Sequence, residues 1–315
     1  MKILFMGTPD FALFSLKALV EYSQTNKSVE ICGVITQPDK PKGRGYTLLP
    51  PPVKVFALEA GLPVYQPETL KDEAFSKLLT TLSPDLIAVV AYGKILPKSV
   101  IDFPKYGCIN VHGSLLPEYR GAAPMQRAII DGKKKTGITI MYMAEGLDTG
   151  DMLLRRELEI GENDNFEAIH DGLGMLGADM LTEIIPMLES ETVTRIPQDD
   201  SLSSYAKKIT KDDCLIDFSK DAQTIHNTVR GLSPVPLSFT HLPNGRLLKI
   251  VESRISDTET NHSVVGEVLS LDNGIEVSCA KGSILFTRVL PEGKSRMNAL
   301  DFIRGRAIRV GDILS

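Results

Sequence analysis

The chain has 315 residues, of which 43% are hydrophobic and 24% charged, and its formal net charge is -5. This is ordinary composition for a soluble globular protein, and the length exceeds what one core usually holds, so two domains are expected. The acidic balance excludes indiscriminate nucleic-acid binding but leaves room for a local basic surface, and no membrane association is expected.

In chain order, strand patterns at residues 2–6, 30–36, 63–65, 86–91 and 107–112 alternate with helical patterns at 11–22, 69–82 and 125–131. That alternation predicts an α/β fold, an open and mostly parallel sheet with helices on both faces. The first apolar run, from Met1 to Gly7, is too short for a secretory leader and reads as a first strand. Its turn lacks Gly-x-Gly-x-x-Gly, so dinucleotide hydride chemistry is disfavoured, and Thr8 as N-cap with Pro9 at the first helical position accounts for it. No P-loop pattern follows.

After the second strand, residues 37–54 read as a long exposed loop in which Lys40, Lys42 and Arg44 lie among glycines and prolines. Gly43 and Gly45 let the backbone bend around Arg44, giving an arm able to order on a phosphate backbone, although composition alone favours a solvated Pro-rich loop. Segments 137–143 and 151–160 predict an antiparallel pair joined by a turn that carries Asp148-Thr149-Gly150. A helix over 165–188 and a polar connector complete this part, assigning residues 1–189 to a first domain and 190–204 to a linker. From 205 to 315 the texture changes to short β-rich runs at 247–253, 264–271, 274–279 and 283–289, with helices at 221–230 and 297–304 and a terminal strand at 307–310. A small β-barrel fits that pattern. Cys32, Cys108, Cys214 and Cys279 lack the paired spacing of a zinc site, so reduced thiols in the cytoplasm and no bound metal are expected.

The chemistry concentrates in the strand at 107–112. Its period of two sends Asn110 and His112 to one face. An amide donor beside an imidazole suits a carbonyl oxygen that gains negative charge while a proton moves, and Asp148 is placed to charge the imidazole. A hydrogen-bonded structural histidine competes with that reading, and on the residues alone the two stand level.

Further stretches carry a resemblance. Ser114-Leu115-Leu116-Pro117-Glu118-Tyr119-Arg120-Gly121-Ala122-Ala123-Pro124, Gly146-Leu147-Asp148-Thr149-Gly150-Asp151, Phe5-Met6-Gly7-Thr8-Pro9 and the 37–45 loop resemble the methionyl-tRNA formyltransferases, over nearly the whole chain. The resemblance implies formyl transfer from 10-formyltetrahydrofolate, as cosubstrate, to the α-amino group of methionyl initiator tRNA by a monomer. It implies catalytic roles for Asn110, His112 and Asp148, and folate contacts from Ser114, Leu115, Leu116 and Pro117. Tyr92, Gly93 and Ile95 of the 91–97 loop would lie beside the pterin. It also implies tRNA contacts from the arm of Lys40, Lys42 and Arg44, and an OB-like second domain. Each donor to the developing oxyanion, Asn110 and protonated His112, would contribute roughly 3–4 kcal/mol. Two positions depart from the pattern: Glu118 stands where a basic residue is common, and Phe239 where an indole is common. A relative acting on a small amine such as a sugar nucleotide, a formyl-folate hydrolase, and a noncatalytic RNA-binding protein are the alternatives.

Overall fold

The computed structural model describes residues 1–42 and 47–315. The chain divides into two compact units. The first comprises Met1–Gly121, Thr136–Leu158 and His170–Tyr205, and the second Ala122–Lys135, Glu159–Ile169 and Ala206–Ser315.

The elements begin with β1 (Lys2–Gly7), α1 (Asp10–Thr25) and β2 (Glu30–Ile35). In β1 and β2 every residue but the first is buried, the pattern of parallel strands covered on both faces. Thr8 is not the N-cap expected of it: Pro9 occupies that position, and the Thr8 hydroxyl instead donates to the Tyr92 carbonyl. The expected long loop is also structured, as an antiparallel hairpin of β3 (Lys40–Lys42) and β4 (Thr47–Leu49) followed by α2 (Pro52–Glu59). The proline run hid that helix, yet Pro52 at its start needs no N–H partner there.

Next come β5 (Val64–Tyr65), α3 (Glu73–Leu82), β6 (Leu86–Val90), α4 (Lys98–Ile101), β7 (Cys108–His112), β8 (Arg120–Gly121), α5 (Pro124–Ile130), β9 (Lys135–Tyr142), β10 (Met152–Glu159) and α6 (Phe166–Glu189). Helix α3 starts at Glu73 because the Asp72 carboxylate accepts from Phe75 N–H and caps it there. The sheet order is β10-β9-β7-β6-β1-β2-β5, parallel from β7 to β5 and antiparallel where β7 meets β9. Strand order reverses at β1, which makes the crevice at the carboxyl ends of β1 and β6 the switch point where α/β sheets hold ligands. Beneath it, Leu4, Met6, Ile87 and Val89 pack on Phe75 and Leu79 of α3.

The second unit holds α5 and, after β11 (Tyr205–Ala206), adds α7 (Ala222–Gly231), β12 (Ser238–His241), β13 (Leu247–Asn261), β14 (Val268–Ser270), β15 (Ile275–Ser278), β16 (Lys281–Pro291), β17 (Met297–Asn298) and α8 (Ala299–Arg304). Its antiparallel sheet runs β12-β13-β16-β15-β14. The expected strand at 307–310 is absent, because Arg306 (φ +53°) and Gly311 (φ +86°) turn the chain. Pairing falls on the residues after them. His241 N–H donates to Ser315 O at 2.7 Å, while Leu314 N–H donates to Gly266 O and Asp312 O accepts from Val268 N–H, both at 2.8 Å. Residues 312–315 thus bond both edge strands and close the sheet toward a barrel. Its core is apolar: Val229, Leu248, Ile250, Val277, Ile284, Phe286 and Val289 are buried together. Phe239 joins Cys214 and Leu232 in a smaller buried cluster, so an aromatic ring does the packing at that position. Among the described residues no helix is long and apolar enough to cross a membrane.

Candidate active site

Strand β7 runs between β6 and β9, with Asn110 beside Val89 on one side and Met141 on the other. Asn110 is half-buried, and among the described residues nothing bonds its side-chain amide. That leaves a rigidly mounted donor uncommitted.

Two residues on, His112 is 6% exposed. Its Nε2 lies 3.0 Å from the Tyr119 carbonyl. A carbonyl only accepts, so the ring proton belongs on Nε2. Nδ1 is then the nitrogen left without that bond, and it faces Asp148 Oδ2 at 3.7 Å. The same Oδ2 accepts from Gly121 N–H at 2.9 Å. An imidazolium at His112 would be stabilised by that carboxylate. Asp148 (φ +52°), Tyr119 (φ +59°) and Ala91 (φ +46°) all hold left-handed backbone without being glycine. Such residues cost about 1–3 kcal/mol each and persist only where surrounding bonds over-determine them.

Ser114, Leu115, Leu116 and Pro117 form the turn after β7, and two of them are spent on building it. The Ser114 hydroxyl is buried and donates to Glu118 O at 2.6 Å, while Ser114 O accepts from Thr139 Oγ1 at 2.7 Å. Leu116 is fully buried against Met141 and Met152, and its N–H donates to Thr139 Oγ1. Leu115 and Pro117 stay half-buried, and Glu118 is exposed.

The loop after β6 is pinned from several sides. Tyr92 sends its ring into the core, where burial pushes the phenol up to about 12 and its hydroxyl finds no partner among the described residues. Its carbonyl accepts from Thr8 Oγ1 at 3.1 Å and Gln37 Nε2 at 2.9 Å. Gly93 (φ +79°) is required, since a Cβ there would stand 2.4 Å from Gln37 Nε2. Lys94 donates to the carbonyls of Pro67 and Glu68. The loop thereby presents Ile95 outward, 84% exposed.

Lys40 donates to Gln37 Oε1 at 2.6 Å, tying the hairpin arm to the same loop. Below it Lys54 pairs with Asp39 at 2.8 Å, and Gln66 donates to Asp39 Oδ1. Lys54 first, then Gln66, hold the Asp39 carboxyl below its ordinary value. Lys42 ends β3, and Arg44 lies outside the described residues. Sequence reasoning did not assign Thr8, Gln37 or Thr139 to the site. Each bonds a residue 23 or more positions away, which no local pattern signals.

Residues 1–185 match the family described as Formyl transferase, and residues 208–307 match Formyl transferase, C-terminal domain. The chain belongs to the formyl transferase family. This formyl transferase is 49% identical over 313 residues to the methionyl-tRNA formyltransferase of Syntrophus aciditrophicus, a match covering 99% of this chain and 98% of the relative. It is 47% identical over 316 residues to the protein of that name from Ruminiclostridium cellulolyticum, covering 100% and 99%. Among solved structures it is similar to an N-formyltransferase from Helicobacter canadensis in complex with folinic acid and dTDP-3-aminofucose. There the TM-score is 0.66 at 19% identity, over 91% of this chain and 98% of that one. At that identity the likeness is one of fold. The candidate site of this formyl transferase thus combines an amide that nothing among the described residues bonds, a histidine with Nε2 committed to a carbonyl, and a carboxylate facing its Nδ1.

Proposed function

We propose that this formyl transferase moves the formyl group of 10-formyltetrahydrofolate to the α-amino group of methionyl initiator tRNA, giving N-formylmethionyl-tRNA for translation initiation. It does so in the cytoplasm as a monomer. The observation that carries the chemistry is the Asn110 amide, which nothing among the described residues bonds, two residues from a histidine whose Nδ1 faces Asp148. The named acceptor is supported by the near full-length identity to methionyl-tRNA formyltransferases.

The residues at the switch point fit a folate. An outward apolar side chain at Ile95, on a loop whose backbone is locked around Gly93, suits the face of a flat heterocycle whose edge needs hydrogen bonds. Leu115 and Pro117 offer further apolar surface. When bound, the donor supplies an electrophilic one-carbon unit. Asn110 donates to the oxygen on which negative charge develops, a contribution of roughly 3–4 kcal/mol. His112 Nδ1 takes up the proton of the attacking amine, Asp148 stabilises the resulting imidazolium, and the bond from the formyl carbon to N10 breaks as that proton passes to the departing tetrahydrofolate nitrogen. Because Nε2–H is held by Tyr119 O, His112 is the proton carrier and Asn110 the oxyanion donor. Lys40, Lys42 and Arg44 meet phosphates of the tRNA.

The test is formylation of charged methionyl initiator tRNA with 10-formyltetrahydrofolate, beside a sugar-nucleotide amine and water as acceptors. Formyl transfer to the tRNA, lost in Asp148→Asn, is expected. Preference for the sugar amine, release of formate alone, or tRNA binding without transfer would each replace this reading.

A further inference from the structure

Asp148 points at His112 only while its left-handed turn keeps its shape, and the bonds that hold that turn come from far along the chain. Gln198 lies in the stretch between α6 and β11, half-buried. Its Nε2 donates to Asp148 O and to Gly150 O, both at 2.8 Å. Its Oε1 accepts from Arg120 Nε at 3.0 Å and Nη2 at 2.8 Å. A guanidinium only donates and a backbone carbonyl only accepts, so the amide has a single workable orientation. Arg120 is followed by Gly121, whose N–H holds the Asp148 carboxylate.

The bonds therefore form a closed circuit. Short strand β8 grips Asp148 twice: directly at the carboxylate through Gly121, and at the backbone through Arg120 and then Gln198. Arg120 is further fixed by its own N–H to Ser204 O at 2.9 Å. Its ion pair with Asp200 at 2.7 Å adds little, because that carboxylate is 82% exposed. Gly150 gives the turn no slack, since a Cβ there would stand 1.8 Å from Tyr142 O.

We infer that Gln198 and Arg120 are positioning residues for the His112–Asp148 pair. They set the turn so that Asp148 Oδ2 stays within reach of Nδ1. The inference rests on the proposed role of Asp148, and Gln198 acts through that residue without touching the reactants. Gln198→Ala removes the link, and Gln198→Glu keeps the length and the Arg120 contact but sets a carboxylate against two carbonyls. Either variant moves the carboxylate away from the imidazole, so Asp148 Oδ2 no longer faces Nδ1.

Two measurements test this. The first is the NMR spectrum of the His112 imidazole in the full chain at one fixed pH, which requires no substrate. The His112 ring resonances are expected to move in Gln198→Ala and Gln198→Glu, in the direction seen in Asp148→Asn, with thermal unfolding of Gln198→Glu close to that of the unaltered protein. The second is formylation kinetics. There kcat is expected to fall by on the order of 10-fold to 100-fold with KM for the charged tRNA unchanged, and Gln198→Ala is expected to add little in an Asp148→Asn background. Unmoved His112 ring resonances in both variants would overturn the inference whatever the substrate proves to be. So would full additivity with Asp148→Asn. Inactivity of the unaltered protein on methionyl-tRNA would instead strike the proposed function and leave the spectroscopic result standing.

Discussion

Around His112 the first unit carries three left-handed non-glycine residues, and its polar bonds join positions far apart in the sequence. The barrel of the second unit is built differently: Val277, Ile284, Phe286 and Val289 from neighbouring strands are all fully buried, and its backbone groups are paired along the ladder. The first arrangement spends conformational energy to aim a few side chains; the second gains stability from apolar burial. A substitution in one region should therefore register in activity and in the other in stability.

The largest expected effect is in the barrel. Phe286→Ala should cost about 3–5 kcal/mol in denaturant unfolding, through lost burial and the cavity left behind. Asn110→Ala should show the reverse profile. It loses roughly 100-fold to 1000-fold in kcat, about 2.7–4 kcal/mol, while the melting temperature holds, because that amide makes no bond to the described residues. Comparable destabilisation by both variants would dissolve the contrast. Next in size is Gly93→Ala, which forces a Cβ against Gln37 and a side chain into positive φ. Strain of roughly 1–3 kcal/mol is expected, read mainly as a higher KM for the formyl donor.

The smallest effects separate two histidines. His170 lies 3.6 Å from Asp10 and 2.8 Å from Asp171, and Asp10 first, then Asp171, raise it above its ordinary 6.5. Its contribution to stability is present below pH 6.5 and is lost as pH rises through the higher folded value. His226 is buried, and burial lowers it below 6.5. Its contribution is present above pH 6.5 and is lost as pH falls through the lower folded value. His170→Gln should therefore flatten the alkaline decline of stability and His226→Gln the acid decline, in unfolding curves between about pH 5 and 8. Matching changes of slope would contradict the assignment.

Much of the fold was legible. The alternating apolar runs announced the parallel sheet, and period-two spacing put Asn110 and His112 on one face. Turn chemistry placed Asp148 between the two antiparallel strands. What misled was local as well: three consecutive prolines concealed α2, and a short apolar run at 307–310 imitated a strand whose pairing lies at 312–315. Ser114 and Leu116 were legible as a motif, but their spacing did not reveal that both are buried in the turn's own framework.

By itself, then, the order of residues determined the α/β architecture, the antiparallel second unit and which side chains could do chemistry, because strand periodicity and turn preferences act over a few neighbouring residues. Only the tertiary structure decided that Tyr119 O commits Nε2 of His112, that Gln37 and Thr8 lock the loop around Gly93, and that Gln198 grips the Asp148 turn. Those bonds close loops of up to 84 residues, and their existence depends on where packing brings distant segments, which no local pattern encodes.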